Sequence, residues 1–196
     1  MKYKVKEVAA LQPDYLGFIF YEKSLRNFEG KIPEIPSSIQ KVGVFVNEEI
    51  EKVIEITQKQ SVAVVQLHGE ESPNYCKRLA EYNRNLKIWK VFSVGEAFNF
   101  NELIRYEKVV SKFLFDTKGK NKGGNGVPFN WGILKKYPSQ KQFILSGGIG
   151  LEEVDAIKKL TTEKKLPVHA IDINSKFEDQ PGLKNITKLK QFFNEL

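Results

Sequence analysis

Short, unbroken apolar runs alternate with helix-like segments along almost the whole sequence. They fall at Tyr15–Phe20 (YLGFIF), Lys41–Val46, Val62–Leu67, Leu86–Phe92, Phe113–Phe115, Gln142–Leu145 and His169–Ile173. A strand that is apolar at consecutive positions is covered on both faces, which is the mark of a parallel sheet rather than of a half-solvated antiparallel one. Helical spacing between the runs places crossover helices there, as at Ile50, Val53 and Ile54, and at Ile186, Leu189, Phe192 and Phe193. Seven such units favour a closed barrel over an open doubly wound sheet, and the 196 residues fit one domain near the lower size limit of a (β/α)8 barrel. The expected fold is therefore an α/β TIM barrel, a single domain over residues 1–196.

The first unit is incomplete. Lys2–Val5 could supply a strand and Lys6–Leu11 a helix remnant, yet the residues before Tyr15 leave no room for a full strand, loop and helix. This crowding predicts a break or a strained junction between about Val5 and Val8. A short second helix is expected near Ser37–Gln40 after Pro33 and Pro36, with Asn47 capping the next helix and Ser72-Pro73 opening the one after. Weaker helical segments are expected at Phe98–Tyr106 and Trp131–Tyr137.

Chemistry concentrates at strand ends. In QFILSGGIG, an apolar strand meets Gly147-Gly148, and Gly150 opens a helix with Leu151, Val154, Ile157 and Leu160 on one face. A glycine turn before a helix N-terminus offers unpaired N–H groups and a favourable dipole to an anion. The next run ends in Asn174-Ser175-Lys176, and in eight-unit barrels the last two loops commonly share a phosphate. Asp116 directly follows an apolar strand, a costly place for a carboxylate unless it faces a site. Lys118–Gly126, with Gly123, Gly124 and Gly126, reads as a loop that closes over a ligand.

A charge of +7 suits an anionic small molecule, and the lysines form no clustered stripe of the kind nucleic-acid binding uses. The one cysteine, Cys76, excludes an internal disulfide framework and reads as a core residue on its helix. With no apolar run long enough to span a membrane and no signal peptide, the expectation is a cytoplasmic protein with no membrane or nucleic-acid partner.

Taken together, several motifs resemble the phosphoribosylanthranilate isomerase family of tryptophan biosynthesis. They are Gly17-Phe-Ile-Phe with Lys23-Ser24-x-Arg26, Val42-Gly-Val-Phe-Val, Gln66-Leu-His-Gly69, Phe115-Asp116-Thr117, and Gly123-Gly-x-Gly126 with Phe129-x-Trp131. They continue through Ser146-Gly-Gly-Ile149, Asp172-x-Asn-Ser175-x-x-Glu178 and Pro181-Gly182-x-Lys184, so the resemblance covers about Val8 to the C-terminus.

The resemblance implies a (β/α)8 enzyme without cofactor or metal, a monomer or homodimer. Its reaction is the Amadori rearrangement of N-(5′-phosphoribosyl)anthranilate to 1-(2-carboxyphenylamino)-1-deoxyribulose 5-phosphate. On this likeness Asp116 matches the general acid, and Arg26 matches the residue that holds the anthranilate carboxylate. Gly147, Gly148, Asn174 and Ser175 match the phosphate site, and Gln66, His68 and Asp172 line the same face. His68 either touches substrate or bonds nearby backbone.

Two departures stand out. The family's general base is a cysteine in Lys-x-Cys-Gly after strand one, but here Lys4-Val5 runs directly into Lys6-Glu7. Lys176 stands where the family usually has glycine. The alternative function is a non-catalytic barrel that binds phosphorylated ligands without its base loop.

Overall fold

The computed structural model describes residues 1–117, 128–163 and 166–196. Seven parallel strands follow one another in chain order around a curled sheet. They are β1 (Tyr15–Ile19), β2 (Gln40–Phe45), β3 (Val64–Leu67), β4 (Lys87–Val94), β5 (Lys112–Thr117), β6 (Phe143–Leu145) and β7 (Val168–Ile171). Burial on both faces makes them apolar: β3 and β6 are buried at every position.

Helices α2 (Ile50–Gln60), α3 (Pro73–Tyr82), α4 (Val154–Glu163) and α5 (Ile186–Glu195) cover the sheet, each burying one stripe. In α4 the stripe is Val154, Ile157 and Leu160, as the spacing requires. Ser72 caps α3, its hydroxyl accepting from Tyr75 N at 3.2 Å, with Pro73 in the first turn. The segments Phe100–Tyr106 and Trp131–Lys136 are 3-10 turns instead of α-helices. A two-stranded hairpin, β8 (Glu178–Gln180) with β9 (Leu183–Lys184), follows β7. No helix among the described residues is long and apolar enough to cross a membrane.

Four local expectations are corrected. Lys2–Val5 forms no strand; Val5–Ala9 is instead a helical turn, α1, because Val5, Val8 and Ala9 all reach the core at helical spacing. The backbone runs unbroken through Val5–Val8, with Val8 N donating to Lys4 O at 3.0 Å, and the left-handed residue lies just before it, at Lys4 (φ 53°). No helix forms at Ser37–Gln40, since Gln40 already opens β2. Asn47 does not cap α2: it is left-handed itself, and its Oδ1 accepts from Glu70 N at 2.6 Å instead. The glycine loop at Lys118–Gly126 lies outside the described residues.

Among the described residues no backbone ladder joins β1 to β7, so the ring has a seam. Side chains span it at both ends. At the strand starts, Tyr15 on β1 meets His169 on β7, hydroxyl to Nε2, at 2.8 Å. At the strand ends, Arg26 after β1 meets Glu178 after β7 at 2.8 Å. Between these, the Met1 amino group donates to the Gly17 carbonyl of β1, and Tyr3 N donates to Gly182 O at 3.1 Å.

Candidate active site

Alternation along the strands decides which side chains meet on the barrel axis. Val42, Val64, Trp89, Val91, Leu114 and Ile144 form one apolar interior cluster, with Tyr15 and Ala170 against it. One step further along β3 to β7, the next residues of the same parity are Gln66, Ser93, Asp116, Ser146 and Asp172. A polar layer therefore sits at the C-terminal strand ends, on top of a dry plug. The ladder puts Phe115 opposite Leu145 and Leu145 opposite Ile171. Asp116, Ser146 and Asp172 are consequently side by side on three adjacent strands.

Asp116 is buried at 5% exposure, and its carboxylate is held from two sides. Oδ1 accepts from Thr117 N at 2.8 Å, and Oδ2 lies 3.3 Å from His68 Nε2. His68 Nδ1 in turn lies 3.5 Å from Gln66 Nε2. Of the two readings of His68, the structure gives it a side-chain partner in Asp116. Gly147 packs directly on this pair: a Cβ there would collide with Thr117 N, Thr117 Oγ1 and Asp116 Oδ1, and its φ of +92° also favours glycine.

The loop that carries His68 rests on a buried ion pair which the sequence reading missed. Lys90 Nζ lies 3.2 Å from Glu71 Oε2, with both side chains almost fully enclosed. Lys90 also donates to Gly69 O at 2.8 Å, while Glu71 accepts from Asn47 N and Gly69 N. Every charge in the cluster is met, which is the condition for tolerating such a pair inside a protein. A cation in the middle of the apolar run Leu86–Phe92 was the available signal. A cavity of about 680 Å³ opens alongside, lined by His68, Gly69, Lys90, Ser93 and Tyr106 among others.

On the opposite side, Gly147 and Gly148 (φ +92° and +69°) turn the chain after β6. Their N–H groups are engaged by no partner among the described residues. The N–H of Gly150, in contrast, is taken by Glu153 Oε2 at 2.6 Å. The turn itself, rather than the helix cap, holds the donors left for an anion. The loop after β7 closes on the same place, since a Cβ on Gly150 would stand 3.6 Å from Lys176 Cβ. Lys176 is exposed. Ser175 opens a short 3-10 turn, and Asn174 gives both its carbonyl oxygens to Lys184 Nζ, at 3.0 and 2.6 Å.

Arg26 is engaged by Glu178, through Nε and Nη2 to one carboxylate oxygen, each at 2.8 Å. Glu178 also accepts from Lys184 Nζ and Gly182 N, each at 3.1 Å. Burial works to raise the Glu178 carboxyl pKa, but Arg26 and Lys184 outweigh it and hold the group below the ordinary range. Burial raises the Asp172 carboxyl, and the nearby Asp116 adds to the effect, while the Ser146 hydroxyl, donating to Oδ2 at 3.0 Å, opposes it. Cys76 is far from this chemistry in kind: it is buried in α3, and burial pushes its thiol up to about 12. Among the described residues no cluster of His, Cys, Asp and Glu could hold a metal ion.

The fold and the site define a βα barrel with two carboxylates and a histidine at the strand ends beside a glycine turn. Comparisons with known proteins narrow this class. The family model for N-(5′-phosphoribosyl)anthranilate isomerase matches residues 1–195. The enzyme of that name from Parabacteroides distasonis is 40% identical over 198 residues, covering 98% of this chain and 87% of its own. The crystal structure of phosphoribosyl anthranilate isomerase from Thermotoga maritima superposes with a TM-score of 0.80 at 28% identity, over 96% of this chain and 91% of its own, and that enzyme is dimeric. A phosphoribosyl anthranilate isomerase crystallised with reduced 1-(o-carboxyphenylamino)-1-deoxyribulose 5-phosphate superposes with a TM-score of 0.76 at 27% identity, over 96% and 90%. The chain belongs to the N-(5′-phosphoribosyl)anthranilate isomerase family.

Proposed function

We infer that this protein isomerises N-(5′-phosphoribosyl)anthranilate by proton transfers at its strand-end polar layer, with Asp116 as the acid. The observation that carries the assignment is the buried Asp116 carboxyl, fixed between His68 and Thr117 and one van der Waals contact from the glycine turn. A phosphate on that turn sets the ribose across the barrel mouth, where Asp116 protonates the ring oxygen. The nitrogen lone pair then opens the ring to a protonated Schiff base. The Arg26 guanidinium is the cation nearest in kind to a planar carboxylate partner, and an anthranilate there shares it with Glu178.

Asp116→Asn keeps the shape and removes the proton. Turnover is expected to fall about 10²–10⁴-fold while product-analogue affinity stays within about tenfold. Near-normal turnover in the variant removes Asp116 from the role.

A further inference from the structure

We propose that Glu71 and Lys90 are positioning residues for the reaction: from behind the sheet they pin the turn after β3 and so hold the His68 imidazole against the Asp116 carboxyl. This rests on the reading of Asp116 as the acid. Alternation along β4 points Trp89 and Val91 into the bore, so Lys90 faces the helix layer, where its Nζ lies 5.7 Å from the centre of the Phe92 ring. Both side chains are enclosed, at 4% and 1% exposure, so whatever they do for the chemistry passes through another group. Their bonds converge on one place. Lys90 Nζ donates to Leu67 O at 3.3 Å and Gly69 O at 2.8 Å, with Val91 O at 3.1 Å on its own strand. Glu71 Oε1 and Oε2 accept from Gly69 N at 3.1 and 3.0 Å, and Oε1 accepts from Asn47 N at 2.8 Å. The Tyr106 hydroxyl donates to Glu71 O at 3.0 Å and ties the turn to the next loop.

His68 sits in the middle of these contacts. Its N–H donates to Phe45 O at 2.8 Å, while the carbonyl before it and both polar backbone groups of the residue after it are held by the pair. Gly69 tightens the turn further, since a Cβ there would collide with Asn47 Oδ1 and N. What the turn presents is the imidazole whose Nε2 lies 3.3 Å from Asp116 Oδ2. Thr117 N fixes the other oxygen at 2.8 Å, so the two contacts together set the tilt of the carboxyl. A displacement of about 1 Å at a reacting group costs on the order of 10²-fold in rate. A buried ion pair adds little stability over well-packed apolar residues of similar volume. Apolar side chains in its place, however, could not grip Gly69 N and Gly69 O. The distinctive contribution of this pair is the geometry of the turn.

The test compares the unmutated protein with Glu71→Gln, with Glu71→Leu and Lys90→Met combined, and with Asp116→Asn. The combined change is also made on His68→Ala. Melting temperature, kcat, KM and the imidazole nitrogen NMR signals are read for each. The chain has two histidines, so a His169→Gln variant assigns the signals that belong to His68. Glu71→Gln is expected to lose stability and about 10–10²-fold in kcat, with KM held within about threefold. The combined variant should recover stability but not kcat, because no apolar side chain holds Gly69. In it the His68 signals should move while those of His169, at the strand starts, stay in place. On His68→Ala the combined change should cost less than about twofold more in kcat, since the pair acts through that side chain. Recovery of kcat along with stability overturns the proposal. So does an unmoved His68 signal, or a full additive loss on His68→Ala. If the pair variants do not fold, Gly69→Ala decides, because it strains the same turn and leaves the pair intact. Its kcat within about threefold of the unmutated protein overturns the proposal, and a larger fall with KM held supports it. Near-normal turnover by Asp116→Asn overturns the acid reading and this proposal together, whereas the other adverse outcomes overturn the positioning role alone.

Discussion

Gly147 shows how little freedom single positions in this site have. Any side chain there would press on Thr117 and on the Asp116 carboxylate, and the residue already occupies a backbone region that disfavours a Cβ. Gly147→Ala is therefore expected to fold less stably and to displace Asp116. The turn's anion affinity should fall together with kcat, measured by phosphate titration and by turnover. A variant with wild-type values for both would show that the close approach is not needed. Asp116 was legible in the sequence for a plain reason: a carboxylate immediately after three buried residues has to face something polar. The partner of Arg26 was not. Glu178 lies 152 positions away, and neither periodicity nor local spacing encodes an ion pair of that range. Glu178 and Lys184 lay within the motifs that carried the family resemblance, but only the fold reveals what they hold.

At the scale of elements, the strands were readable because burial on both faces leaves an unbroken apolar run, whereas the segments that misled are short. Five residues of α1 cannot display a helical period, so Val5 read as the end of a strand while Val8 and Ala9 read as part of a helix remnant. Asn47 looks like a cap because caps are local; its actual bond reaches to Glu70 in the next loop. That bond belongs to the cluster under β3 and β4, where Glu71 and Lys90 clamp the turn that presents His68. Glu71→Gln leaves Lys90 buried beside a neutral partner. Breaking a buried pair from one side costs about 3–5 kcal/mol, so the variant should show a correspondingly lower denaturation midpoint. Replacing both Glu71 and Lys90 with apolar residues of similar volume should restore much of the loss. A single variant as stable as the unmutated protein would mean that solvent reaches the pair.

For the whole molecule, the seam between β1 and β7 is the joint with fewest main-chain bonds, and its lower clasp is titratable. Burial lowers the His169 pKa, with Lys112 and Lys87 acting in the same sense and Asp14 against it. A histidine depressed in the folded state stabilises above its unfolded pKa of about 6.5 and loses that contribution as pH falls through the folded value. Melting temperature should accordingly drop on acidification below about pH 6.5, and His169→Gln should flatten that part of the curve. Equal slopes in the two proteins would locate the acid sensitivity elsewhere.

The seam has a mechanical consequence as well. A ring of strands bonded all the way round has its bore fixed by strand count and stagger. Here, among the described residues, the join between β1 and β7 is held by side chains and by the Met1 and Tyr3 bonds instead of a ladder. The Arg26 side of the mouth and the Asp172 side belong to opposite lips of that join. Side chains clasp them at both ends, Tyr15 to His169 below and Arg26 to Glu178 above, with the Met1 and Tyr3 bonds between. A ligand carboxylate that engaged Arg26 would have to compete with Glu178, so binding there and the upper clasp are linked.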